Sequence, residues 1–176
     1  VLLAESFETK YIVKTKGLVI GSLDWVLEIT NDKYQTSIEL GSKGLLSGFY
    51  KFSGFYVANG RVENEKLLPL TYIQKWKTKK KSRDVKIVFN DLKGVEIFIV
   101  PEEKELARIK YEGLEGYSDP LTSFINIMLG SKTSDTIDGR RVYRLLSKKE
   151  KNKRKILVKN YKNIWADHNR NDLKYI

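Results

Sequence analysis

Apolar and polar side chains alternate along most of the chain, beginning near its N-terminus. Four residues share one face of the first extended segment, and mostly charged residues lie between them: Phe7, Thr9, Tyr11 and Val13. Alternation with a period of two is typical of a strand that has one buried and one solvated face. The pattern recurs to about residue 100, interrupted by short turn sequences such as "NDK" at 31–33. Because short connections join antiparallel neighbours, the sequence predicts an antiparallel sheet.

Glycines mark the irregular points of this pattern. The apolar phase shifts by one residue across Gly21 and Ser22, which predicts a bulge in the second strand. The stretch "GLLSGFYKFSGFYVANG" at 44–60 is aromatic on both faces, and its interior glycines disfavour a helix. We therefore predict a long, bent strand there and a short edge strand at about 61–66. Two further strands are predicted after the "DG" turn, at about 140–147 and 154–165.

One segment, residues 118–130, has the spacing of a helix instead. Ser118 or Asp119 suits its N-cap, Pro120 its first turn and Gly130 its end. Five apolar residues form one stripe along it: Leu121, Phe124, Ile125, Met128 and Leu129. A helix this short is marginal in water on its own. We therefore predict that the stripe docks on the concave face of the sheet.

These elements predict a mainly β protein, built as a curved antiparallel sheet or open β-barrel with one amphipathic helix packed against its concave face. Residues 1–176 are expected to form a single β-rich domain, since no linker, repeat or low-complexity block divides them. The segment "VLLA" at 1–4 resembles the remnant of a signal peptide, which favours export over a chance boundary. The strand that opens near residue 173 is expected to be incomplete.

The composition argues against several kinds of functional site. The chain has no cysteine, which excludes disulfides, thiolate nucleophiles and cysteine zinc sites. The one histidine, His168, lies in the polar stretch "WADHNRND" and is interpreted as a solvated loop residue. That stretch has Asp172 where a calcium loop needs glycine. Glutamates at 102–115 are interpreted as ordinary surface. We predict no catalytic residue, no metal site and no cofactor.

The net charge of +11 is concentrated in two basic turns, at 75–83 and 148–155. Such turns predict attraction to an anionic membrane surface, although lysines also keep strand edges soluble. The excess of lysine over arginine argues against specific reading of nucleic acid. The residues predicted to meet an anionic surface are Lys79, Lys80, Lys81, Arg83, Lys149, Lys151, Lys153 and Arg154.

Several short motifs together carry a resemblance. They are Tyr11 with Gly17 and Gly21, the glycine-bearing segment 44–54, Gly60, Pro69 with Tyr72, "YSDPLTSF" at 117–124 and "DGRRVY" at 138–143. In these the chain resembles an exported bacterial family catalogued as domain of unknown function 3108. The resemblance implies a signal-peptide-bearing protein of the periplasm or cell envelope of a Gram-negative bacterium, similar in outline to lipoprotein carriers. It implies no catalytic residues.

Two functions follow from these observations. The first is non-enzymatic binding of a lipid or other apolar ligand, such as an acyl chain, between sheet and helix. The residues predicted to line that space are Tyr50, Phe52, Tyr56, Tyr72, Trp76, Phe124 and Met128. The simpler interpretation is that these side chains only fill a core. The alternative function is a basic module that binds an anionic membrane surface or a polyanionic partner, and the sequence leaves the oligomeric state open.

Overall fold

Seven antiparallel strands form one sheet in chain order, as the alternation predicts. The computed structural model describes residues 5–48, 51–91, 93–104 and 106–165, without the side chains of 45 and 46. The strands are β1 (Glu5–Thr15), β2 (Leu18–Ile29), β3 (Lys33–Ser42), β4 (Phe52–Glu63), β5 (Lys66–Thr78), β6 (Ser82–Asn90) and β7 (Gly94–Val100). Within the described ranges the edge strands β1 and β7 do not pair, so the sheet is not closed into a barrel.

A smaller sheet and a helix complete the fold. The remaining elements are α1 (Pro120–Met128), β8 (Thr133–Ile137), β9 (Arg141–Glu150), β10 (Lys153–Asn163) and two short 3-10 helices, Leu45–Gly48 and Tyr111–Gly113. The small sheet has the order β10-β9-β8, and β8 lies beside α1. Strand β8, "TSDTI", has too little apolar alternation to be recognised, and no strand was predicted there.

The predicted bulge is confirmed, while two strand boundaries need correction. Val13 pairs with Gly21 and Lys14 with Val19, which leaves Ile20 as the extra residue of β2. The long strand predicted at 44–60 is wrong at its start, because a 3-10 helix occupies Leu45–Gly48 and β4 begins at Phe52. The prediction of a separate edge strand at 61–66 is also wrong. Those residues end β4 and begin β5, joined at Asn64–Glu65, where both residues have positive φ.

The register directs one row of small and large side chains into the concave face. Across four neighbouring strands the row consists of Thr36, Ala58, Tyr72 and Ile87, all buried. Side chains directly opposite on antiparallel strands share a face, so the row forms one continuous surface. The helix α1 packs against β4 and β5 on this face, as predicted.

The helix turns a different side inward from the one predicted. Ile125 is buried and Leu121 packs at the core edge, but Phe124, Met128 and Leu129 are 39, 56 and 57% exposed. The prediction was wrong for Met128 and Leu129, whereas Phe124 is partly exposed and contacts Trp25 of the large sheet at a ring separation of 6.0 Å. The buried positions include Thr122, Ser123, Asn126 and Ile127. Most of these are polar side chains that find hydrogen-bond partners, so their burial carries no unpaired-group penalty.

The first turn of α1 is held by a buried polar cluster. Asp119 is the N-cap, and its carboxylate accepts from the backbone N–H groups of Leu121 and Thr122 at 2.9 and 3.0 Å. The Thr122 hydroxyl donates to Asp119 at 2.6 Å and lies 2.5 Å from the Tyr34 hydroxyl on β3. An N-cap carboxylate of this kind stabilises the helix start. The cluster therefore ties the helix directly to the large sheet.

The middle of α1 is attached through side chains that bond to backbone or hydroxyl groups. Asn126 accepts from the Leu67 N–H at 2.9 Å and donates to the Leu67 carbonyl at 2.8 Å. On the other side, the Ser123 hydroxyl accepts from Thr136 of β8 at 2.8 Å. These directional contacts fix the rotation of the helix, which apolar packing alone leaves freer.

Candidate functional site

A cleft of about 380 Å³ opens between the large sheet and the turn that joins β8 to β9. Its lining comes from β4, β5 and the β5–β6 turn on one side and from the β8–β9 turn on the other. The lining residues are Phe52, Tyr56, Gln74, Trp76, Thr78, Lys81, Asp138, Arg140 and Arg141. The volume lies in the range of small-molecule sites.

The cleft floor is an aromatic surface set by the register of β4 and β5. Phe52 lies opposite Thr78, Gly54 opposite Trp76 and Tyr56 opposite Gln74. A Cβ at Gly54 would lie 2.7 Å from Cε2 of Tyr56, so the glycine makes room for the Tyr56 ring. All three aromatic side chains are only partly buried. Apolar area therefore remains available in the cleft.

The opposite wall is a hydrogen-bonded turn that carries two arginines. The Asp138 carboxylate accepts from the backbone N–H groups of Arg140 and Arg141 at 2.9 and 2.8 Å. Its other oxygen lies 3.4 Å from Nη1 of Arg141. Burial raises the pKa of Asp138, and the charge of Arg141 opposes that rise. Gly139 adopts positive φ and lies against Val85, where a side chain has no space.

Lys81 brings a third cation to the cleft from the β5–β6 turn. The turn is closed by Thr78, whose hydroxyl accepts from the Lys81 N–H at 3.1 Å. The Lys81 side chain is exposed. Arg83, opposite Trp76 in the register, is largely buried and pairs with Glu103, whose side chain is 23% exposed. Three cationic side chains thus line an aromatic cleft that contains one carboxylate.

The residues predicted to line an apolar ligand are only partly brought together. Phe52, Tyr56 and Trp76 line the cleft. Tyr72 is 2% exposed beside the floor, where its hydroxyl donates to Gln74 at 3.2 Å and burial raises its pKa. Tyr50 lies outside the described residues. Phe124 and Met128 do not line the cleft: Phe124 contacts Trp25 of β2, and Met128 is exposed on α1. The cleft lies between the large sheet and the β8–β9 turn, whereas the predicted ligand space was between sheet and helix.

The two predicted basic surfaces lie at opposite ends of the molecule. Strand β5 starts beside α1, where Leu67 bonds to Asn126, and ends at the turn that carries Lys79, Lys80 and Lys81. The Lys79 ammonium donates to the Gly48 carbonyl at 2.6 Å. The other basic turn joins β9 to β10, and Nη1 of its Arg154 donates to the Ile127 carbonyl at 2.5 Å. This second turn therefore lies next to the C-terminal end of α1.

Sequence reasoning assigned no role to Gln74, Thr78, Asp138, Arg140 or Arg141. The last three belong to the "DGRRVY" motif. The sequence therefore singled out this motif, but it did not show that the motif lies against the large sheet. His168 and its loop lie outside the described residues. Within the described part of the chain, no three Asp, Glu or His side chains approach closely enough to hold a metal ion.

The comparisons with known proteins define the class of this chain. A family model described as a protein of unknown function, DUF3108, matches residues 9–161, so the chain belongs to that family and the resemblance is confirmed. The match spans every residue of the cleft. No curated protein and no solved structure matches. In the described ranges, no helix is both long and apolar enough to cross a bilayer.

Proposed function

We propose that this protein is a non-enzymatic binder of an amphiphilic ligand in the Gram-negative cell envelope. The ligand has an apolar body, such as an acyl chain, and an acidic end. The apolar body lies on Phe52, Tyr56 and Trp76, and the acidic end faces Lys81, Arg140 and Arg141. The main support for this proposal is that aromatic and cationic side chains line the same cleft.

The aromatic floor supports the apolar half of the proposal. Side chains that only filled a core would be sealed, as Tyr72 is, whereas the three floor residues keep part of their surface open. Covering such surface with an apolar ligand is favourable by about 25 cal/mol per Å². Partly exposed aromatic rings in a concave setting are typical of ligand sites.

The cationic wall supports the acidic half. The lining of the cleft includes three cationic residues, Lys81, Arg140 and Arg141, and one carboxylate, Asp138, which engages the backbone of its own turn and the Arg141 guanidinium. Hydrogen bonds between guanidinium groups and carboxylate are shorter and stronger than neutral ones. A neutral ligand of the same length forms no such charged hydrogen bonds with this wall. Comparing the affinities of an acidic and a neutral ligand therefore tests the proposal directly.

The first experiment asks what the protein carries. Protein purified from a Gram-negative host is extracted with organic solvent, and the extract is analysed by mass spectrometry beside an extract of a Phe52→Ser/Trp76→Ser variant. We expect an acidic lipid in the first extract at much higher yield. Equal yields from both proteins, or no lipid in either, would contradict the proposal. Fractionation of the same cells tests the expected location in the periplasm or envelope.

The second experiment measures binding to the cleft by tryptophan fluorescence. Trp76 lies in the cleft, whereas Trp25 lies against Phe7 and Phe124 outside it. Trp165 is removed from both reporters, because its indole N–H donates to the Gly139 carbonyl of the cleft wall at 3.1 Å. Titration with a long-chain alkyl carboxylate should change the emission of Trp25→Phe/Trp165→Phe, but not that of Trp76→Phe/Trp165→Phe. A chain-matched alcohol should bind more weakly. If the alcohol binds equally well, the ligand needs no acidic end, and only the proposal of an apolar body is supported.

A further inference from the structure

The exposed side of α1 and the basic β9–β10 turn form one continuous surface. The turn and its flanks, residues 148–155, are called here the basic hairpin; Glu150 is the only acidic residue in it. The apolar part consists of Phe124, Met128 and Leu129, which are exposed on the helix. This surface lies at the end of the molecule opposite the β5–β6 turn, and it is separate from the cleft.

Three contacts hold the two parts side by side. Nη1 of Arg154 donates to the Ile127 carbonyl at 2.5 Å, one residue before Met128. The Ser147 N–H donates to the Lys132 carbonyl at 2.8 Å. Thr133 pairs with Leu146 in the β8–β9 ladder. The hairpin is therefore attached to the chain just after the helix, and Lys149, opposite Arg154 in the register, lies on its helix-facing side.

The charges in the hairpin are available for an outside partner. Lys149 lies opposite Arg154 and so shares the face that is directed to the helix. Lys149, Lys151 and Lys153 are all exposed. Among the described residues, no hydrogen bond or ion pair of their ammonium groups is found. Within the described part of the chain, no ion pair therefore neutralises their positive charge.

The apolar part continues a row of aromatic side chains on the large sheet. Phe124 contacts Trp25 at a ring separation of 6.0 Å, and Trp25 in turn contacts Phe7 at 5.6 Å. Met128 and Leu129 extend this line of apolar residues to the base of the hairpin. Contiguous exposed apolar side chains beside a polar rim commonly mark an interaction site.

We propose that this surface docks the protein on a bilayer that contains anionic lipid. The lysines meet the negative headgroups, and Phe124, Met128 and Leu129 enter the boundary between headgroups and acyl chains. This combination of buried apolar area and electrostatic attraction is what holds interfacial helices on membranes. A nucleic acid would attract the lysines through its phosphates but would gain little from exposed Met and Leu side chains.

Docking through this end leaves the cleft away from the membrane. Strand β5 spans 13 residues between the two ends, which corresponds to roughly 40 Å at 3.3 Å per residue. The docked protein therefore holds its ligand cleft well above the lipid surface. The proposal does not depend on the cleft binding any ligand.

The test is vesicle co-sedimentation of the full chain with phosphatidylcholine alone and with added phosphatidylglycerol. The charge variant is Lys149→Gln/Lys151→Gln/Lys153→Gln. Its matched control, Lys77→Gln/Lys80→Gln/Lys86→Gln, removes the same charge from exposed lysines elsewhere. The apolar variant is Met128→Ser/Leu129→Ser. Thermal unfolding of each variant establishes that it folds.

We expect binding only to the anionic vesicles, and weaker binding at high salt. The charge variant should bind roughly 100-fold more weakly and its control within roughly threefold of wild type. The apolar variant should lose roughly tenfold. An equal loss in the control would overturn the proposal, because general basicity would then explain the binding. Tighter binding to RNA than to vesicles, unchanged in the apolar variant, would overturn it as well.

Discussion

Two polar regions on the concave side of the large sheet have opposite characters. Under α1, Asp119, Thr122 and Tyr34 are buried and bonded to one another. In the cleft, Lys81 is exposed and Arg140 and Arg141 are partly so. Tyr72, in the buried row of the sheet, lies between the two regions. Over a short distance along β5 the protein changes from a sealed polar cluster to an open one.

The difference shows what buried and open polar groups each contribute. In the sealed cluster every hydroxyl and carboxylate is satisfied internally, and such groups fix one arrangement of the helix. In the cleft the cations lie beside uncovered aromatic surface, where a ligand can still reach them. Changes in the sealed cluster should therefore affect stability, and changes in the cleft should affect binding more than stability.

Among the polar contacts of the protein, the largest effect on stability is expected from Asn126→Ala. The substitution removes both hydrogen bonds to the Leu67 backbone and leaves its N–H and C=O unsatisfied. The free energy of unfolding should fall by roughly 2–5 kcal/mol, measured by urea denaturation. Asn152→Ala, in the exposed β9–β10 turn, is the control and should change it little. A loss no greater than the control's would mean that Asn126 does not position the helix.

The next effect is a pH dependence that comes from Asp119. Burial raises its pKa from 3.8 to about 6, opposed by the hydrogen bonds from Thr122 and Leu121. The folded pKa lies above the unfolded one, so the folded state binds more protons between these values. The free energy of unfolding should therefore fall as the pH rises through this window, by at most about 3 kcal/mol.

The Asp119→Asn variant isolates this contribution, because asparagine keeps the oxygen that accepts from Leu121 and Thr122. Urea midpoints at pH 4 and pH 7 should differ less in this variant than in the wild type. Asp84→Asn is the control, since Asp84 is half-exposed and pairs with Lys75 at 3.7 Å. It should keep the wild-type profile. If the free energy of unfolding depends on pH in the same way in the wild type and in Asp119→Asn, then ionisation of the buried Asp119 carboxyl does not destabilise the folded state.

A smaller effect is expected from Gly54→Ala in the cleft floor. The new methyl group would lie 2.7 Å from Cε2 and 2.9 Å from the hydroxyl of Tyr56, so the ring must move. We expect a loss of about 1 kcal/mol in the free energy of unfolding, with altered Trp76 emission. Gly41→Ala, with open space around the added carbon, is the matched control. Unchanged emission in Gly54→Ala would show that the floor tolerates a side chain there.

The smallest effect is expected from Met128→Ser. This side chain is exposed on the outer side of α1, so the free energy of unfolding should change by less than about 0.5 kcal/mol. Ile125→Ala, three residues earlier and buried, should cost roughly 2–5 kcal/mol. Thermal or urea unfolding of both variants measures the contrast. A large loss from Met128→Ser would mean that the apolar stripe is part of the core after all.

The sequence allowed the strands to be predicted more securely than the helix packing. Period-two alternation assigns each strand residue to a face, and neighbouring strands then bring Phe52, Tyr56 and Trp76 together. For α1 the apolar spacing indicated the wrong side, because Thr122, Ser123 and Asn126 found partners on other elements. Those partners are distant in the chain, so no local pattern contains them. The cleft wall at 138–141 was missed for the same reason.

The open large sheet also has a consequence for how the protein behaves in solution. Among the described strands, β1 is an edge of 11 residues, and a long unpaired edge is a template on which another chain can add a strand. The bulge at Ile20 disturbs regular pairing near this edge, and charged residues such as Glu8, Lys10 and Lys14 alternate along β1. Both features hinder edge-to-edge polymerisation, so neutralising the β1 charges is a route by which this fold would form fibres.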